Sequence, residues 1–160
     1  MSEPNVFAPE WEPGTPPGLH GVRVGAAAGA RELGVTLYEL EPHAAVAPYH
    51  VHHANEELMV VLAGRPRLRT PDGERELEPG AVIAFPRGPD GAHQVTNPGE
   101  EPVRVLLVST MNFPDVAEYP DTGALLAMTA PGAGKAFPAD GERPVFDLYR
   151  EALERGTSTS

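Results

Sequence analysis

The residues best suited to chemistry in this chain are its histidines. Four of the six stand at positions 50, 52, 53 and 93, among the densest run of apolar clusters in the sequence. Side chains alternate across an extended strand, so His50 and His52 project to one face about two rises apart, near enough for both imidazoles to reach one metal ion at ~2 Å. His53 then points the other way. Glu57 follows the polar, turn-like Ala54-Asn55-Glu56 and begins an apolar stretch that ends at Gly64, so the chain can fold back and aim this carboxylate at the same ion. Taken alone, a His-x-His pair reads more readily as two partly exposed imidazoles on an edge strand; the offsets of Glu57 and His93 change that reading. The chain contains no cysteine, so a bound metal has to sit on His, Asp or Glu.

The elements that hold these residues are short. At 160 residues the chain fits one domain, and its 19 prolines and 17 glycines are too many for long helices. From Gly34 onward, apolar runs separated by turn residues (Val35 to Leu40, Leu58 to Ala63, Ala81 to Phe85, Val103 to Ser109) suit an all-β sandwich or barrel. One hairpin can be laid out in full. A two-residue turn at Asp72-Gly73 pairs Arg69 with Glu76, Arg67 with Glu78 and Leu68 with Leu77. Both Leu58–Leu62 and Val105–Val108 are apolar on both strand faces, so something must cover the outer face: the N-terminal arm, a second sheet or, as favoured here, a second copy in a homodimer.

The flanks read differently. Residues 1–33 form a proline-rich arm, with Phe7 and Trp11 among the prolines, and a first strand; residues 34–110 form the barrel core. Residues 111–160 form a C-terminal extension in which Ala124–Thr129 suggests an extra strand and Pro144–Arg155 a short terminal helix ending at Gly156. The formal charge of −11, with no Lys/Arg cluster to offset it, argues against nucleic acid and anionic membrane as partners. No basic-then-apolar leader and no apolar run approaching the ~20 residues needed to cross a bilayer are present, so a cytoplasmic location is expected.

The pattern around the histidines resembles the cupin family. Its first motif runs Gly, five residues, His-x-His, three or four residues, Glu, six residues, Gly; here it reads His50-Val51-His52, four residues, Glu57, six residues, Gly64, with Ala44 in place of the leading glycine. The second runs Gly, five residues, Pro-x-Gly, two residues, His, three residues, Asn; here it reads Gly80, five residues, Pro86-Arg87-Gly88, four residues, His93, three residues, Asn97. Two extra residues therefore lengthen the loop before His93. The resemblance covers roughly 34–110 and looks like the small single-domain bacterial cupins. It implies a double-stranded β-helix, or jelly roll, with one metal held inside by His50, His52, Glu57 and His93. Three imidazoles and a carboxylate suit Fe(II), Mn(II), Ni(II), Cu(II) or Zn(II) better than Ca(II) or Mg(II), and leave coordination positions for a small-molecule ligand.

Other residues carry weaker readings. Glu56 competes with Glu57, which is preferred because it shares a face with Met59, Val61 and Ala63. His53 reads as a surface residue, His20 and His43 as exposed, and Asn97 as either a strand-end residue or a support for the site. Tyr49, Arg87, Met111 and Phe113 are expected near the barrel mouth. The expected activity is that of a metal-dependent enzyme on a small oxygen-bearing organic molecule, of dioxygenase, isomerase or lyase type, with no catalytic acid or base identified. A non-catalytic binding or sensing module is the alternative.

Overall fold

A computed structural model describes residues 3–12 and 17–138. The chain runs β1 (Leu19–Val22), α1 (Val24–Ala27), β2 (Leu33–Leu40), β3 (Val51–His52), β4 (Glu57–Ala63), β5 (Arg67–Thr70), β6 (Gly73–Glu76), β7 (Val82–Phe85), a 3-10 turn at Pro89–Gly91, β8 (Gln94–Thr96), β9 (Val103–Thr110), β10 (Asp115–Tyr119), β11 (Ala124–Ala130) and β12 (Ala133–Phe137). One antiparallel sheet is ordered β1-β2-β9-β4-β7. Facing it are β12-β11-β10-β3 and β6-β5-β8. Residues 43–50 join those two into a continuous wall: His50 and His93 exchange backbone hydrogen bonds of 3.1 and 2.8 Å, and Val46 N donates to Val95 O at 3.0 Å. The result is a jelly roll, an all-β fold.

Register explains why one end is solid and the other hollow. Across β2, β9 and β4 the inward rows run Leu40–Val103, then Tyr38–Val105–Val61, then Thr36–Leu107–Met59, then Ser109–Glu57. Polarity rises along every row. Leu40, Val103, Val105, Val61 and Met59 are completely or almost completely buried and pack with Leu68, Val95 and Phe85 to close one end. The other end keeps Thr36, Tyr38, Ser109 and Glu57 around a cavity. Met59 and Val61 lie on the inner face as expected, whereas a bulge between Val61 and Ala63 turns Ala63 out to an exposed position.

One sequence expectation is corrected in its details. The hairpin turns one residue earlier than the Asp72-Gly73 reading: Thr70 pairs with Gly73, Arg69 with Glu74, Leu68 with Arg75 and Arg67 with Glu76. Pro71 and Asp72 occupy the turn, and Gly73, at φ +117°, supplies the left-handed step that leaves it. Leu68 and Leu77 are still both buried, because Leu77 N bonds Pro66 O at 2.9 Å beyond the end of the ladder. The first motif lacks its leading glycine. His43, one residue before Ala44, takes the left-handed turn at φ +66°, a conformation that histidine adopts more readily than most residues.

The outer face of the larger sheet is covered in part. α1 packs so closely on β2 that a Cβ on Gly25 would meet Val35 at 2.9 Å, and the outward Leu37 is fully buried. The N-terminal arm lies beside it, Glu12 bridging Gly21 and Trp11 standing 5.6 Å from the Arg104 guanidinium. Leu58 (37% exposed) and Val82 (59% exposed) stay open to solvent. Beyond residue 110, β10 to β12 extend the opposite wall, β11 matching the strand suggested at Ala124–Thr129. The expected helix at Pro144–Arg155 lies outside the described residues. Among the described residues no helix is long and apolar enough to cross a membrane.

Candidate metal centre

Three elements bring the four expected residues to one point. His50 and His52 come from the segment entering β3, Glu57 starts β4, and His93 stands just before β8. The His50–His93 backbone bridge sets two of the imidazoles side by side, with ring centroids 4.6 Å apart; His50 and His52 are 5.1 Å apart. One ligand atom each from His50, His52 and Glu57 lies within 4.8 Å of the others, so this group can hold a metal ion. His93 abuts it, with Nε2 3.3 Å from Glu57 Oε2, while His52 Nε2 is 3.9 Å from the same oxygen. Two ligands of one ion at ~2.1 Å stand roughly 3 to 4 Å apart, so these spacings suit a shared cation.

The tautomers are prepared for that role. His50 Nδ1 faces Pro48 O at 2.9 Å, His93 Nδ1 faces Gly91 O at 2.9 Å, and His52 Nδ1 faces Asp115 Oδ2 at 2.6 Å. Each Nδ1–H therefore has an acceptor, and each Nε2 is left for the centre. The rings are also packed in place, His93 lying parallel to Phe85 with centroids 3.7 Å apart and His50 stacked 6.0 Å from Tyr119.

Asp115 is the residue that sequence reasoning missed. Its side chain is fully buried; Oδ2 meets His52 and Oδ1 accepts the Ala54 N–H at 2.8 Å. No local pattern announces it, because it lies 63 residues beyond His52 and reaches the site only through the pairing of β10 with β3. The longer loop before His93 has a clear use: its 3-10 turn places Gly91 so tightly that an added Cβ would meet Pro86 O at 1.7 Å, and the Gly91 carbonyl is the one that orients His93.

Electrostatics keep the His50 imidazole neutral and the Glu57 and Asp115 carboxylates ionised. Burial, reinforced by the charge of His93, pulls His50 down to about 4, so its imidazole stays neutral well into the acid range. Burial by itself would raise Glu57, but the hydrogen bond from His93 and the charges of His52, His93 and His50 outweigh it and hold the carboxylate below its ordinary range. Burial also opposes ionisation of Asp115, and is overcome by hydrogen bonds from Ala54 N, His52 and Asn55.

The remaining candidates sort cleanly. His53 points outward to Glu118 at 3.2 Å, and Glu56 is exposed. His20 pairs with Glu41 at 2.8 Å, and His43 is exposed; neither approaches the centre. Asn97 is a structural clip: its amide donates to Leu40 O at 3.0 Å and Glu101 O at 2.9 Å, and Oδ1 accepts Gly99 N–H at 3.0 Å. Met111 and Phe113 do line the cavity. Tyr49 and Arg87 do not: Tyr49 falls on the opposite strand face from His50, packed with Val51 and Ala92 under Arg69, and Arg87 is exposed.

The cavity beside the four residues measures about 500 Å³ and opens to solvent. Tyr38, also on its wall, is a titratable group outside the ligand cluster; burial raises it above the ordinary phenol value, the Glu57 charge adds to the rise, and the hydrogen bond with Thr36 opposes it. It stays a proton carrier at neutral pH.

Residues 36–109 match the model of the Cupin domain. Among solved structures, a cupin-superfamily sugar phosphate isomerase from Silicibacter pomeroyi is 30% identical, covers 81% of this chain and 82% of its own, and superposes with a TM-score of 0.72. A protein provisionally assigned the same activity, from Acidithiobacillus ferrooxidans, is 28% identical over 79% of this chain and 80% of its own, with a TM-score of 0.71. The polyketide cyclase RemF of Streptomyces resistomycificus is 25% identical over 70% of this chain and 80% of its own, with a TM-score of 0.57. No relative was found among the curated proteins.

Proposed function

From the membership of this chain in the cupin superfamily, we propose that it is a metal-dependent enzyme acting on a small oxygen-bearing organic molecule, with His50, His52, Glu57 and His93 holding one divalent transition metal. The observation that carries this reading is the convergence of three oriented imidazoles and a carboxylate on the wall of an open cavity. A bound cation there would polarise a carbonyl or enol oxygen. Around it the protein's own part is to bind, orient and move a proton. The three Nδ1 acceptors hold the rings, Glu57 and Asp115 supply negative charge, and Tyr38 is the candidate acid. That arrangement supports isomerase- or lyase-type proton transfer next to a carbonyl more directly than dioxygen chemistry, and the isomerase and cyclase activities of the similar structures support it too.

The test is hydrogen exchange. Metal-loaded protein in D2O should accelerate C–H exchange of a 1,3-dicarbonyl, followed by proton NMR, and Tyr38→Phe should cut the acceleration by about a hundredfold, a usual general acid–base contribution. Saturable binding with no exchange by either protein would instead establish the non-catalytic binding module. We further propose a homodimer formed through the outward Leu58 and Val82 face, in keeping with its exposed apolar side chains.

A further inference from the structure

We infer that the cavity selects an apolar, ring-bearing compound that presents its oxygens at one end, and that Met111, Phe113 and Met128 set this preference. The inference rests on the reading of this cavity as the substrate site. Polar groups gather at the inner end, where the four candidate ligands meet Thr36, Tyr38, Asn55 and Ser109. The apolar walls are Val46, Leu107, Met111, Phe113 and Met128. Two arginines, Arg23 and Arg31, also line the cavity; Arg23 is engaged by Glu12 at 3.3 Å, so a terminal phosphate would have Arg31 to meet it. A sugar phosphate carries a hydroxyl on nearly every carbon and a dianion at its end. Along these walls its hydroxyls would find no partners, and each buried hydroxyl left unpaired loses about tenfold or more in affinity. A flat ring loses nothing there. Methionine adapts to such a face and its sulfur makes favourable contacts with aromatic edges.

The position of these walls in the chain adds a second argument. All four candidate ligands lie within 36–109, the segment shared with the Cupin domain, whereas Met111, Phe113 and Met128 lie beyond it. The β9–β10 loop and β11 therefore supply these three apolar side chains from outside the segment that carries the ligands.

The experiment measures the ring separately from the metal. Titration calorimetry of metal-loaded protein should show benzoylacetone binding at least about tenfold more tightly than acetylacetone, which shares the dione but lacks the ring, and ribose 5-phosphate binding more weakly than either. In metal-free protein, 1-naphthol fluorescence should report saturable binding. Met128→Gln and Phe113→Ser, each checked for an unchanged melting temperature and metal content, should each erase most of the ring's advantage in both assays. Equal affinity for the two diones, preference for ribose 5-phosphate, or 1-naphthol binding indifferent to both substitutions would overturn the inference. Protein that takes up no metal yet binds 1-naphthol in this substitution-sensitive way would defeat the metal reading and leave the apolar selection standing.

Discussion

A histidine becomes a predictable ligand only when its second nitrogen is committed, and here each commitment differs in kind. Two imidazoles lean on backbone carbonyls, which a substitution removes only by moving the backbone. His52 alone leans on a side chain, Asp115, at 2.6 Å. Asp115→Asn should therefore weaken metal affinity by about 10- to 100-fold without moving His50 or His93, measured by competition with a chromogenic chelator. The four candidate ligands were legible from the sequence because strand parity and motif spacing act over short distances. Asp115 was illegible for the opposite reason: its partner is 63 residues away and only sheet order brings them together. Parity also explains the failure at Tyr49, which stands next to His50 in sequence and so points to the opposite strand face.

Loops and strands carry the next set of consequences. Positions of apolar runs were readable and became β2, β4, β7 and β9, with β4 and β9 displaced by no more than a residue at either end. The hairpin register was not, since Pro71 and a left-handed Gly73 make a turn that starts one residue before the Asp72-Gly73 pair alone suggests. Gly91 is the sharpest test of the longer loop. Gly91→Ala drives a methyl group into the Pro86 carbonyl, so the loop must open and carry away the acceptor that orients His93. Metal affinity should fall while the far-UV circular dichroism of the barrel is retained. His43 offers a contrasting case. His43→Gly relieves a left-handed histidine at φ +66° but frees the unfolded chain, so stability in urea should change upward by no more than about 1 kcal/mol. A loss of stability would show that His43 is held there by side-chain contacts.

For the whole molecule the governing fact is a barrel packed at one end and titratable at the other. His50 is pulled below its unfolded value of about 6.5, to about 4, so the unfolded chain binds the extra proton first as pH falls through that window. Glu57 and Asp115, both held below their ordinary values, lose their contribution at still lower pH. All three act in the same direction. Metal-free protein should have a melting temperature that declines from pH 7 toward pH 4, His50 accounting for on the order of 3 kcal/mol; a flat profile would mean that the imidazole is solvated. The proposed dimer should sediment at twice the 17.0 kDa chain mass, and Val82→Glu should return it to one. The central claim is the shared cation, and elemental mass spectrometry of protein purified without a tag or added metal addresses it most directly. About one Fe, Mn, Ni, Cu or Zn per chain is expected, with His50→Ala and Glu57→Ala each folded but depleted. Full occupancy in both variants, or a folded native protein that stays metal-free even when these ions are supplied, would contradict it.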